Sequence, residues 1–145
     1  MWRAALAAAS VVWAVASAAA SPQPGPIALD AGVYGAEQAV RGQAHYNAFC
    51  APCHAGDLSG TLAADTGAPP LRGATFVASM EKQGVAAVFD YIKTTMPADD
   101  PASLKDSEYL EILAFLIQAN GFPAGSRELT AADLPRLRVR RPAAP

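Results

Sequence analysis

The chain predicts an all-α fold of three main helices joined by loops. Three features of the sequence predict it. Apolar residues recur at alternating three- and four-residue steps in three separate stretches, while nowhere do they alternate with polar residues for long enough to make a strand. Between those stretches the chain is rich in Gly, Pro and Ala, the residues of turns and loops. No internal repeat is visible.

The first helix begins at Ala36. Through AEQAVRGQAHYNAFC, positions Ala39, Gly42, Tyr46, Phe49 and Cys53 fall on one face. A glycine inside a helix costs about 1 kcal/mol relative to alanine, so Gly42 on that face predicts a close crossing with another helix. Residues 55–74 read as a loop. The second helix runs from Val85 to Thr94, with Val85, Val88, Phe89 and Ile92 on one face, and stops before Met96-Pro97. Proline disfavours the α conformation at the residue before it, so Met96 is expected on extended backbone. The third helix, capped by Asp106 or Ser107, carries Tyr109, Ile112, Leu113 and Leu116 on one face and Leu110, Ala114 and Ile117 on another. That pattern predicts burial on two sides, up to a stop at Gly121.

The ends differ from this body. Residues 1–20 carry Arg3, an apolar run and then Ala18-Ala19-Ala20, the three-part pattern of a cleaved secretory signal peptide. The apolar run is shorter than the roughly 20 residues of a bilayer span, so no membrane span is expected in the mature chain. Residues 21–35 read as a flexible lead-in, 36–125 as the folded domain and 126–145 as a C-terminal extension, serving as a docking strap or simply a frayed end. Residues 21–135 hold six Lys and Arg against thirteen Asp and Glu, a net of −7, and Arg136, Arg138, Arg140 and Arg141 follow. An acidic body without a basic stripe argues against nucleic acid as a partner.

The chemistry concentrates in FCAPCHAG. Cys50 and Cys53 are the chain's only cysteines, and His54 is one of its two histidines. A Cys-x-x-Cys serves a redox disulfide, half a zinc site, part of an iron–sulfur cluster, or covalent attachment of haem c. No strand precedes Cys50 as a thioredoxin-like pair requires. Zinc needs four ligands, and the remaining histidine, His45, sits eight residues before Cys53, where a surface position on the helix is expected. Clusters generally need four cysteines. Haem attachment uses every scarce residue in this stretch: Cys50 and Cys53 can form thioethers to one edge of a porphyrin, and His54 can give its imidazole to the iron. A secreted chain suits covalent attachment. For the second axial ligand, Met80 sits beside charged residues and suits core filling. Met96 lies 42 residues beyond His54 on an extended segment, which lets the chain wrap the porphyrin and return from its other face.

With these residues the chain resembles a class I cytochrome c, monohaem and His/Met ligated, over roughly residues 36–121. Gly42, Tyr46, Cys50, Cys53 and His54 match the family's N-terminal helix and haem motif, and Pro69-Pro70-Leu71-Arg72-Gly73 matches its P-x-L-x-G segment. The resemblance implies that the Pro69 carbonyl accepts a hydrogen bond from His54. Ile112 to Leu116 resembles the C-terminal helix, with Phe115 where the family often has Tyr. A narrower likeness, carried by Phe89 to Pro97, Asp100-Pro101, Ser103-Leu104 and Ala119 to Gly125, is to cytochromes associated with periplasmic quinoprotein alcohol dehydrogenases. Those relatives place a Trp by a haem propionate near the position of Met80; here both tryptophans lie in the first 20 residues, which leaves Arg72 as a candidate propionate partner.

What the resemblance implies is a cytochrome c fold around one covalently attached haem c. It also implies a periplasmic electron carrier, not itself a catalyst, working between a donor dehydrogenase and an acceptor oxidase or cytochrome. Two alternatives stand beside it. One is a tightly bound electron-transfer subunit of a quinoprotein-type dehydrogenase; the other is a haem sensor or enzyme with an open distal site.

Overall fold

The computed structural model describes residues 24–61 and 67–140. The leader expected over residues 1–20 lies outside the described residues, as does Arg141. Among the described residues five α-helices form where three main ones were expected: α1 (Ala36–Phe49), the single turn α2 (Ala51–His54), α3 (Ala74–Gln83), α4 (Val85–Thr95) and α5 (Asp106–Ala119). The fold is mostly helical, as the sequence predicts.

Helices α1 and α5 form the largest helix–helix interface among the described residues. Helix α5 is buried on two sides, through Tyr109 and the unbroken run Ile112 to Ile117. Its N-cap residue is Lys105 rather than Asp106 or Ser107, because the Glu108 carboxylate reaches back to accept the Lys105 N–H at 2.8 Å. Gly42 sits at the crossing. A Cβ placed there would lie 1.8 Å from the Glu111 carbonyl oxygen, so the two backbones touch. Tyr46 and Phe115 fill the space beside this contact, their rings 5.3 Å apart. Gly42→Ala is expected to force the helices apart and cost about 2–4 kcal/mol in denaturant unfolding; unchanged stability would show that the crossing tolerates a methyl group.

Helix α3 escaped the sequence reading for a physical reason. It buries only Phe76 and Met80, one turn apart, which is too short a pattern to register as a period. Glycines with positive φ flank it: Gly73 at 87° and Gly84 at 89°.

The stretch read as a flexible lead-in is folded from Ile27 onward, and the C-terminal extension packs with it. Leu29, Val33 and Tyr34 are buried, as are Leu129, Leu134 and Leu137. Strands β1 (Ile27–Ala28) and β2 (Leu137–Arg138) pair in parallel. The Gln38 side chain donates to the Leu129 carbonyl at 2.9 Å and accepts the Leu129 N–H at 2.8 Å. Arg127 grips the buried Asp133 through its two terminal guanidinium nitrogens, and with Thr130 it holds that carboxyl down to about 2. Residues 126–140 are thus a lid on the core, closed by contacts between positions far apart in sequence. No helix among the described residues is long and apolar enough to cross a membrane.

Candidate functional site

Helix α1 ends at Phe49, and the chain turns at once into α2, with Pro52 pre-set for its first turn. The Cys50 carbonyl accepts from the N–H groups of both Cys53 (3.2 Å) and His54 (2.9 Å). One short turn therefore gathers both thiols and the imidazole. Cys50 is half-buried and Cys53 exposed.

The His54 ring is buried, and its Nδ1 lies 2.8 Å from the Pro69 carbonyl oxygen, the contact implied by the resemblance. A carbonyl only accepts, so Nδ1 carries a proton, and in the neutral ring Nε2 keeps its lone pair. Nε2 has no hydrogen-bond partner among the described residues. The imidazole is thus oriented from behind and left with one donor atom for a metal, as a ligating histidine requires.

A lattice of bonds fixes this arrangement. Gly60 N–H donates to the His54 carbonyl at 2.9 Å, the Thr61 hydroxyl to the Cys53 carbonyl at 2.7 Å, and Leu71 N–H to the Leu58 carbonyl at 2.9 Å. Tyr46, reaching from α1, donates to the Ala55 carbonyl at 2.7 Å. Ala55 takes a φ of 62°, which costs an alanine conformational energy, and this bond helps hold it there. At Gly60 a Cβ would come within 2.6 Å of the Ala68 carbonyl oxygen, so only glycine lets the two loops meet beneath the histidine. Neither Gly60, Thr61 nor the Tyr46 hydroxyl was singled out from the sequence; the available signal was Tyr46 lying one turn before Cys50.

The donor set separates the chemistries. Burial, and secondarily the neighbouring Cys53, pushes the Cys50 thiol up to about 11, opposite to the lowered value of a redox-active pair. Among the described residues no three His, Cys, Asp or Glu side chains come together as a metal site. His45 instead places Nε2 3.1 Å from Glu111 and stacks on Phe49, partly covered at the α1–α5 seam. Two thiols and an imidazole with a free Nε2 on one turn fit haem c.

Met96 caps the C-terminus of α4 on extended backbone, with φ −123° and ψ 147°. Its N–H donates to Ile92 at 3.0 Å, and its carbonyl accepts from the Tyr109 hydroxyl at 2.6 Å. Met80 is buried among the core residues of α3, where it fills space. Arg72 is exposed and donates to the Asp57 carbonyl at 3.0 Å. It borders a hollow of about 710 Å³ with Gly73, Val77 and Asn120 that none of Cys50, Cys53, His54 and Met96 lines. The structure gives Arg72 no hydrogen bond or ion pair with those four residues.

Comparison with known proteins agrees with this chemistry. The family model for cytochrome c oxidase, cbb3-type, subunit III matches residues 37–116. The thiosulfate dehydrogenase of Allochromatium vinosum is 41% identical over 83 residues, which is 54% of this chain and 30% of that protein. The chain therefore spans less than a third of that relative. With more than half of its length inside the family match, the chain belongs to the cbb3-type cytochrome c domain family, whose fold binds haem for electron transfer.

Proposed function

We propose that the chain is a periplasmic monohaem c-type cytochrome that passes single electrons from a donor dehydrogenase to an acceptor oxidase or cytochrome. Cys50 and Cys53 would hold one haem by thioethers, with His54 and Met96 as axial ligands. When bound, the haem supplies a one-electron Fe(III)/Fe(II) couple. The observation that carries this reading is the His54 ring, directed by Pro69 and presenting a free Nε2 immediately after the two thiols. The chain's own residues do the rest. Pro69 raises the basicity of the imidazole, the α1–α5 core excludes water, and exposed Cys53 marks the edge where a partner approaches. Two filled axial positions leave none for substrate.

The partial match to thiosulfate dehydrogenase favours a second reading, in which the chain is the electron-accepting unit of a periplasmic dehydrogenase assembly. Both readings are tested by producing the chain with haem-attachment machinery. Mass spectrometry is expected to show one added haem, and a redox titration one reversible one-electron wave. Co-purification with a larger subunit at moderate salt selects the assembly; a chain that matures without bound haem refutes both.

A further inference from the structure

We infer that Tyr109 is the positioning residue for the distal iron ligand, holding the Met96 backbone in place through its carbonyl. The inference rests on the reading that Met96 is that ligand. It follows from an asymmetry between the two sides. The backbone around His54 is tied to several elements: by Gly60 and Thr61 from the following loop, by Tyr46 from α1, and by Pro69 on the ring itself. Met96 has far less. Its N–H bonds to Ile92 in its own helix, so the Tyr109 hydroxyl is the one hydrogen bond joining its backbone to another element among the described residues.

The chain beyond Met96 adds little restraint. Residues 98–103 are exposed, and the Lys93–Asp106 ion pair at the feet of this loop, 2.8 Å long, lies in solvent, where such pairs contribute little. The Tyr109 ring is 1% exposed in the core face of α5, so its hydroxyl has one place to be. The α1–α5 crossing thereby sets both sides of the site: Tyr46 on α1 reaches the carbonyl following His54, and Tyr109 on α5 reaches that of Met96.

Tyr109→Phe keeps the ring and deletes only the bond. Losing one such bond is expected to raise the population of the Met96-dissociated state roughly five- to tenfold. In the haem-loaded protein this reads out as a similar gain in carbon monoxide association by the ferrous form and a weaker far-red charge-transfer band in the ferric form. Tyr34→Phe is the control, because Tyr34 is equally buried and its hydroxyl donates to the Phe122 carbonyl at 2.6 Å, with Gln118 as its other partner and none of Cys50, Cys53, His54 and Met96 hydrogen-bonded to it. Both variants are expected to lose similar thermal stability, and only Tyr109→Phe to change ligand exchange. Equal effects in the two, or no change in Tyr109→Phe, overturns the inference. Met96→Ala run alongside separates the causes: if it opens the iron while Tyr109→Phe does nothing, the positioning role alone falls. If Met96→Ala leaves the iron closed, the ligand assignment falls and the inference with it.

Discussion

A chain with both Cys50 and Cys53 replaced by Ala is expected to mature without covalent haem and without a cooperative fold. Cys50 packs against the hydrophobic core and His54 is itself buried, so the attachment turn is part of the interior. A domain of this size has a total stability of only about 5–15 kcal/mol, and a group bound solely by the native state adds directly to it. Without the haem, the interior loses apolar contact area. Far-ultraviolet circular dichroism with thermal melting checks the result. A double variant with the parent's helical content and a sharp transition would show that the polypeptide core stands alone.

Met96→Ala is the second large effect. If the thioether binds the iron, its removal opens an axial position. The ferrous protein then binds carbon monoxide and the reduction potential falls as water or a stronger donor takes the place. Haem content is expected to be unchanged, because Cys50, Cys53 and His54 are untouched. Met80→Ala is expected to do neither; with Met80 buried in the core, its cost is the roughly 2–5 kcal/mol of a large-to-small core substitution. Unchanged potential and no carbon monoxide binding in Met96→Ala would refute the assignment, decisively so if Met80→Ala showed both effects.

The parts of this fold that were legible in the sequence are those encoded locally. Helices α1, α4 and α5 each repeat their apolar residues over several turns, and Gly42 announced the crossing because a helix has no other use for it. Cys50, Cys53 and His54 stood out because five consecutive positions hold both of the chain's cysteines and one of its two histidines. What the sequence hid depends on distance. Helix α3 buries two residues and gives no period. The packing of residues 24–35 and 126–140 rests on pairings such as Ile27 with Leu137 and Gln38 with Leu129, 91 positions apart in the second case, and nothing local marks any of these residues. The hydroxyls of Tyr46 and Tyr109 were invisible for another reason: each ring sits on an apolar helix face, where an aromatic reads as packing, and only coordinates show the carbonyl at its tip.

The same long-range closure sets an order of events in biosynthesis. A polypeptide is made from its N-terminus, so α1 and the Cys50–His54 turn exist well before α5, whose Glu111 backbone is the surface on which Gly42 rests. Leu129, the partner of Gln38, comes later still. Until then the face of α1 has nothing to pack against, and an isolated helix of 14 residues is marginal in water. The nascent thiols therefore remain on a pliable segment until α5 and the residues beyond it arrive. In the folded chain Cys50 is half-buried while Cys53 stays exposed, so the arrival of α5 and the C-terminal lid restricts access to the first sulfur more than to the second.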